Sequence, residues 1–183
     1  MTDLHVSWDE YNRLVERLAL IVHDSGWQFD AIICLARGGL RVGDALSRIF
    51  DKPLGVIITS SYRASGGTLQ GHLKIGDQIS SAEDVTHGRI LLADDLVDTG
   101  VTLQRVLPEL RRRHPAISKL RTAVLWYKGV SVYQPDYYVS YLADSPWIHQ
   151  PFEVYEGCDI EQLRGQLRGQ LHEGVREPGP EAQ

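Results

Sequence analysis

Arg89-Ile-Leu-Leu-Ala-Asp-Asp-Leu-Val-Asp-Thr-Gly-Val-Thr102 decides the fold. It reads as a buried β-strand that runs out into a cluster of acids, followed by a Thr-Gly turn and the start of a helix. A strand-turn-helix unit aims free backbone N–H groups and the positive end of a helix at one place, which suits a phosphate. Carboxylates at Asp94, Asp95 and Asp98 crowd the same place. Acids beside an anion site are useful for holding sugar hydroxyls or a divalent metal, or for moving a proton. Asp94-Asp95-Leu-Val-Asp98 also spells the DDxxD of isoprenoid synthases, but those acids sit on a helix in an all-α protein. Here a β-rich run comes before them and a Thr-Gly breaker after.

The elements around this stretch alternate. Ser7-Trp-Asp-Glu10 has capping-box spacing, Leu14, Leu18, Ile21 and Val22 follow at helical period, and Gly26 stops the helix. Phe29 to Leu35 is a continuous apolar run, as a buried parallel strand would be, and Arg37-Gly-Gly39 is a turn. Leu40 to Phe50 reads as helix and Leu54 to Thr59 as a β-branched strand. After strand Ile90 to Ala93 come helix Thr99 to Arg113 and two strands, Leu120 to Tyr127 and Tyr137 to Leu142. This order predicts an α/β fold with a central, mostly parallel twisted sheet flanked by helices.

Two segments depart from the alternation. Residues 60–87 are rich in Ser, Gly and Thr, with room for a hairpin but no strong helix, and are expected to form a flexible lid loop. Residues 158–176 are expected to be a C-terminal helical extension, with Leu163, Leu167 and Leu171 four apart. Its glycines cost roughly 1 kcal/mol each against Ala, so it needs a partner surface. Residues 177–183 are expected to be disordered, leaving 1–157 as the main domain.

Bulk properties narrow the classes. The 183 residues suffice for one domain with a sizeable core. No apolar run approaches the roughly 20 residues of a membrane span, and Thr2 to Glu10 is too polar for a secretory leader. The two cysteines, Cys34 and Cys158, lack metal-ligand spacing; Cys34 reads as a small buried side chain. A reducing cytoplasm is the expected location. A formal charge of −5 argues against a nucleic-acid partner but not against a polyanionic ligand, since magnesium and local N–H groups can supply the positive field.

The acid stretch resembles the phosphoribosyl-pyrophosphate signature of type I phosphoribosyltransferases. Pro146-Trp-Ile-His-Gln-Pro-Phe-Glu153 resembles the purine-binding segment of bacterial xanthine-guanine (hypoxanthine) phosphoribosyltransferases. Val6-Ser-Trp-Asp9, Ser60-Ser-Tyr62 and Lys128 extend the likeness over roughly residues 6–157. It implies the type I fold, with a small hood built from the two ends of the chain. It also implies transfer of a 5-phosphoribosyl group from phosphoribosyl pyrophosphate to guanine, xanthine or hypoxanthine. The products would be the nucleoside monophosphate and pyrophosphate, as in purine salvage. Mg2+ is the implied cofactor and a homo-oligomer, dimer or tetramer, the implied assembly.

The resemblance also implies roles. Thr99, Gly100, Val101 and Thr102 would cradle the 5′-phosphate. Asp94 and Asp95 would hold the ribose hydroxyls and the metal, and Asp98 would exchange a proton with the purine imidazole. Arg37 and Gly38 would form the diphosphate loop, with a cis peptide between them. Lys128 would donate to the 6-oxo group, Trp147 would stack on the base and Ile148 would read it through its backbone carbonyl. Ser60, Ser61 and Tyr62 would belong to the lid. Glu153 stands where the family usually has Asp, near the base's two-position and a second metal. Arg63 and Lys74 are alternative pyrophosphate contacts. Two other functions stay open: a phosphoribosyltransferase for a non-purine base, and a phosphoribosyl-pyrophosphate-binding regulator without turnover.

Overall fold

A computed structural model describes residues 3–61 and 73–167 of the chain. Its elements run β1 (Leu4–His5), α1 (Trp8–Asp24), β2 (Ala31–Ala36), α2 (Leu40–Phe50), β3 (Leu54–Ser61), β4 (Leu73–Ser80), β5 (Gly88–Ala93), β6 (Leu96–Val97), α3 (Val101–Arg113), β7 (Ile117–Lys128), β8 (Tyr137–Leu142), β9 (Ile148–His149) and α4 (Ile160–Gln166). One 3-10 turn spans Glu153–Tyr155.

β2 is buried along its whole length because both its faces are covered. Successive side chains point to opposite sides of a sheet. Ile32 and Cys34 therefore join one core with Leu14, Leu18 and Val22 of α1 and Val42 and Leu46 of α2. Ile33 and Leu35 join another with Leu103, Val106 and Leu110 of α3. β5 divides in the same way, Leu91 and Ala93 to the first core and Ile90 and Leu92 to the second. The sheet order is β4-β3-β2-β5-β7-β6, with β8 also pairing with β7. All these pairs are parallel except β3 with β4. The expected mostly parallel sheet flanked by helices is the observed one.

Local chemistry sets the boundaries. Ser7 caps α1, its Oγ accepting from Glu10 N at 3.2 Å, and Gly26 ends the helical run at φ 68°. The first inner strand starts at Ala31 rather than Phe29, because Phe29 turns into an aromatic cluster with Trp27 and Phe50. α3 starts at Val101 rather than Thr99, because Gly100 takes the N-cap at φ 80°. Cys34 is buried as expected, and burial pushes its thiol up to about 12.

β1 and β9 form a separate parallel pair, Leu4 against Ile148 and His5 against His149, so opposite ends of the sequence meet. This pair lies where the hood was expected. The Ser-Gly-rich segment holds a hairpin arm, β4 running antiparallel to β3 as far as the Ser61–Leu73 pair. Tyr62 and Arg63 fall outside the described residues, as does the chain after Leu167. Among the described residues no helix is long and apolar enough to cross a membrane.

Candidate active site

Parallel strands that end together leave a crevice at their carboxyl edge, where ligands collect. Four such ends meet here. β2 delivers Arg37 and Gly38, β5 delivers Asp94 and Asp95, and β6 is followed by Asp98. β7 delivers Lys128, and beside them the hood strand β9 begins at Ile148, directly after Trp147.

The two acids have different neighbourhoods. Asp94 lines a recess of about 80 Å³ together with Asp98, Thr99, Gly100 and Thr102. Helix geometry leaves the first N–H groups of α3 without an intrahelical partner, and its opening residues Gly100, Thr102 and Leu103 line this recess. Asp95 lines a wider cleft of about 930 Å³ that also holds Arg37, Gly38, Arg41 and Glu156. Asp95 N donates to Asp94 Oδ1 at 3.0 Å, and the Asp95 carbonyl accepts from Leu125 N and Trp126 N. The acid pair is thereby pinned to β7.

Both acids are half-buried. Burial pushes Asp94 well above the usual carboxylate range, and the neighbouring Asp95 adds to the rise. Burial also raises Asp95, against an opposing hydrogen bond from Gln150. Two hard oxygen donors that repel one another at a desolvated site suit a small divalent cation such as Mg2+. Among the described residues no group of three or more His, Cys, Asp and Glu is close enough to hold a metal ion. A cation at the pair would complete its shell with substrate and water oxygens, the usual arrangement for Mg2+. Glu153, in the 3-10 turn, is raised first by burial and then by Glu156, and Asp95 also acts on it.

Asp98, Lys128 and Trp147 are scattered along the sequence and meet in space. Lys128 Nζ lies 3.2 Å from Asp98 Oδ1 and 5.9 Å from the Trp147 ring centroid. Lys128 is 5% exposed and Trp147 52%, so a buried cation sits beneath an aromatic face open to solvent. In β9, Leu4 N and Val6 N take the carbonyls of Trp147 and His149. Strand alternation turns the intervening Ile148 carbonyl to the opposite edge, away from β1.

In the turn after β2 the cis peptide lies between Ala36 and Arg37, one residue earlier than expected. The turn closes where Gly39 N bonds Leu35 O, at 2.9 Å, so the chain reverses as soon as it leaves the strand. A Cβ on Gly38 would stand 2.5 Å from Asp95 Oδ1, and one on Gly39 2.7 Å from the Ala93 carbonyl. The diglycine therefore lets this turn lie directly against the acids. Arg37 reaches outward to Glu156, at 3.5 Å.

The phosphoribosyl transferase domain model matches residues 7–157. The chain belongs to this family. It is 31% identical over 169 residues to a xanthine-guanine phosphoribosyltransferase of Idiomarina loihiensis, covering 90% of this chain and 94% of that protein. Its structure is similar to a purine phosphoribosyltransferase from Pyrococcus horikoshii, with TM-score 0.67, 31% identity and coverage of 83% and 95% of the two chains. It is also similar to the Helicobacter pylori xanthine-guanine-hypoxanthine phosphoribosyltransferase, with TM-score 0.71, 27% identity and coverage of 90% and 99%. The family resemblance read from the sequence is borne out.

Three neighbours escaped the sequence reading. Gln150 donates to Asp95 Oδ2 at 2.6 Å. Arg41 is held between rings, 4.2 Å from the Phe152 centroid and 5.5 Å from that of Trp8. Glu156 pairs with Arg37. A signal existed for Gln150: Ile148 and Gln150 are buried with His149 less so between them, the period of a strand, and a buried amide needs a partner. Nothing local marks Arg41 or Glu156.

Proposed function

We propose that this phosphoribosyltransferase moves the 5-phosphoribosyl group from phosphoribosyl pyrophosphate to a 6-oxopurine, with Mg2+, and releases pyrophosphate. The observation that carries the reading is the Asp98–Lys128–Trp147 grouping beside a phosphate-sized recess. An oxopurine stacked on Trp147 would gain roughly 1–3 kcal/mol from base-aromatic contact. The Lys128 ammonium donates to a 6-oxo group and repels an amino group, so it selects oxopurines over adenine. The Ile148 carbonyl accepts from a ring or exocyclic N–H of the base.

The 5′-phosphate sits in the recess at the start of α3, taking N–H donors from Gly100 to Thr102 and hydroxyl donors from Thr99 and Thr102. Asp94 and Asp95 hold the ribose hydroxyls. Asp95 and Asp94 would hold Mg2+, which would supply positive charge next to the departing diphosphate, and Glu153 would serve a second metal. Arg37 and the Gly38 N–H line the diphosphate path, with Arg37 exchanging Glu156 for substrate oxygens. As the C1–O bond breaks the sugar becomes oxocarbenium-like, and the fixed carboxylates stabilise it. Asp98 accepts the proton that the purine imidazole loses as its nitrogen bonds C1. Ser60 and Ser61, at the end of β3, would belong to a lid that keeps water from the activated sugar.

The test is pyrophosphate release from phosphoribosyl pyrophosphate with Mg2+, using guanine, xanthine, hypoxanthine, adenine, uracil and orotate separately. Release with the oxopurines alone is expected. Release with uracil or orotate points to another base, and tight binding without release in any arm points to a regulator.

A further inference from the structure

We infer that Gln150 is a positioning residue that ties Asp95 to the base-binding hood and so sets how tightly the phosphoribosyl end of the substrate is held. The inference rests on the reading proposed above. Gln150 follows β9 directly, one residue beyond His149, and β9 is anchored by pairing with β1. Its backbone is therefore placed by the hood. Its side chain leaves the hood, and Nε2 donates to Asp95 Oδ2 at 2.6 Å across 55 positions of sequence. Gln150 is 6% exposed, so its end of this bond is shielded from water.

The amide has one workable orientation. Reversed, it would set Oε1 against Asp95 Oδ2, two acceptors that tolerate such a contact only if the acid is protonated. In the structure the N–H faces it. In that orientation Oε1 is buried without a partner. A buried acceptor left unpaired costs stability. Among the described residues no other hydrogen bond holds this side-chain amide, so its bond to Asp95 accounts for its being there. The result is a rigid link from Trp147 and Ile148, which would contact the base, to the acid that would contact the ribose.

The test compares Gln150→Met, which keeps length and packing but not the donor, with the unaltered protein. Calorimetric titration with phosphoribosyl pyrophosphate, with and without Mg2+, gives affinity without turnover, and steady-state assays give KM for each substrate. Losing a hydrogen bond to a charged group should weaken phosphoribosyl-pyrophosphate binding roughly 10- to 100-fold. The KM for the base should stay within about twofold, since the stacking and the Lys128 contacts remain. A purely structural Gln150 would instead lower the melting temperature and the active fraction while leaving KM alone.

A second comparison guards against misfolding. Gln150→Asn withdraws the amide by one methylene, and Asp95→Glu advances the carboxylate by one; each is also titrated alone. The double variant should bind phosphoribosyl pyrophosphate more tightly than Gln150→Asn alone. Unchanged affinity in Gln150→Met, or strict additivity in the double variant, overturns the inference while leaving the enzyme reading intact. An unaltered protein that neither binds phosphoribosyl pyrophosphate nor releases pyrophosphate overturns the reading itself.

Discussion

Lys128 Nζ sits 3.2 Å from Asp98 Oδ1, joining the end of β7 to the loop that lines the recess at the start of α3. The lysine is buried while the Asp98 side chain is 53% exposed, so the pair presents its acid to incoming substrate. If Asp98 moves the purine proton, Asp98→Asn should lower kcat by roughly 10²–10⁴-fold. Phosphoribosyl-pyrophosphate affinity should change little. Single-turnover kinetics beside equilibrium titration separate the two, and lost binding with retained turnover would refute the role.

If Lys128 donates to the 6-oxo group, Lys128→Met removes that donor and keeps a stem beneath Trp147. The KM for guanine should rise about 10- to 100-fold, as expected for a lost charged hydrogen bond. The handicap of adenine relative to guanine should shrink with it. Competition assays with the two bases read this ratio directly.

Asp94 is a carboxyl that the fold would rather keep neutral, since burial and Asp95 both push its pKa up. Asp94→Asn keeps the acceptor for Asp95 N and removes one of two adjacent buried charges. The substrate-free variant should melt higher, by about 2–4 °C for each 1 kcal/mol gained. Its phosphoribosyl-pyrophosphate affinity should collapse. Scanning calorimetry and titration on one preparation check both halves of this trade.

Gly38 and Gly39 should fail differently. A Cβ at Gly38 meets the Asp95 carboxylate, which can turn aside, so Gly38→Ala should fold and lose activity. A Cβ at Gly39 meets the backbone of Leu35, Ala93 and Asp94 at 2.7–2.9 Å, which cannot yield cheaply. Gly39→Ala should lower the melting temperature by several degrees, in line with overpacking costs of about 1–3 kcal/mol.

Away from the site, Asp30 accepts from Arg89 N, Nε and Nη2, tying the start of β2 to the start of β5. These hydrogen bonds hold Asp30 down at about 2. A depressed carboxylate contributes stability above its unfolded pKa, about 3.9, and loses it as pH falls through the folded value. Urea unfolding of the unaltered protein should weaken between about pH 4 and pH 2. Asp30→Asn should be weaker near neutrality and should show a flatter dependence in that acid window.

Much of the site was legible because its parts are local. Asp94, Asp95, Asp98 and the Thr99–Thr102 turn lie on one continuous stretch, where a buried strand followed by a glycine turn leaves little choice of geometry. Helix limits were equally plain where a cap or a glycine marks them: α2 spans Leu40–Phe50 as the periodicity predicts, and Ser7 and Gly26 frame α1. Boundaries slipped by two residues at Phe29 and at Thr99, where aromatic packing and a left-handed glycine outweighed the local pattern. The cis bond slipped to Ala36–Arg37.

By itself the sequence determined the strand-acid-turn unit, the alternation that yields a parallel sheet, and the residue types able to hold a phosphate, a ribose and a base. Only tertiary structure decided that Lys128 meets Asp98 beneath Trp147, that β1 and β9 pair across the length of the chain, and that Gln150 reaches Asp95. The reason is physical. Local pattern is dictated by backbone period and side-chain chemistry within a few residues. Contacts across 30 to 150 positions depend on which strand ends the sheet order brings side by side, and no short segment carries that information.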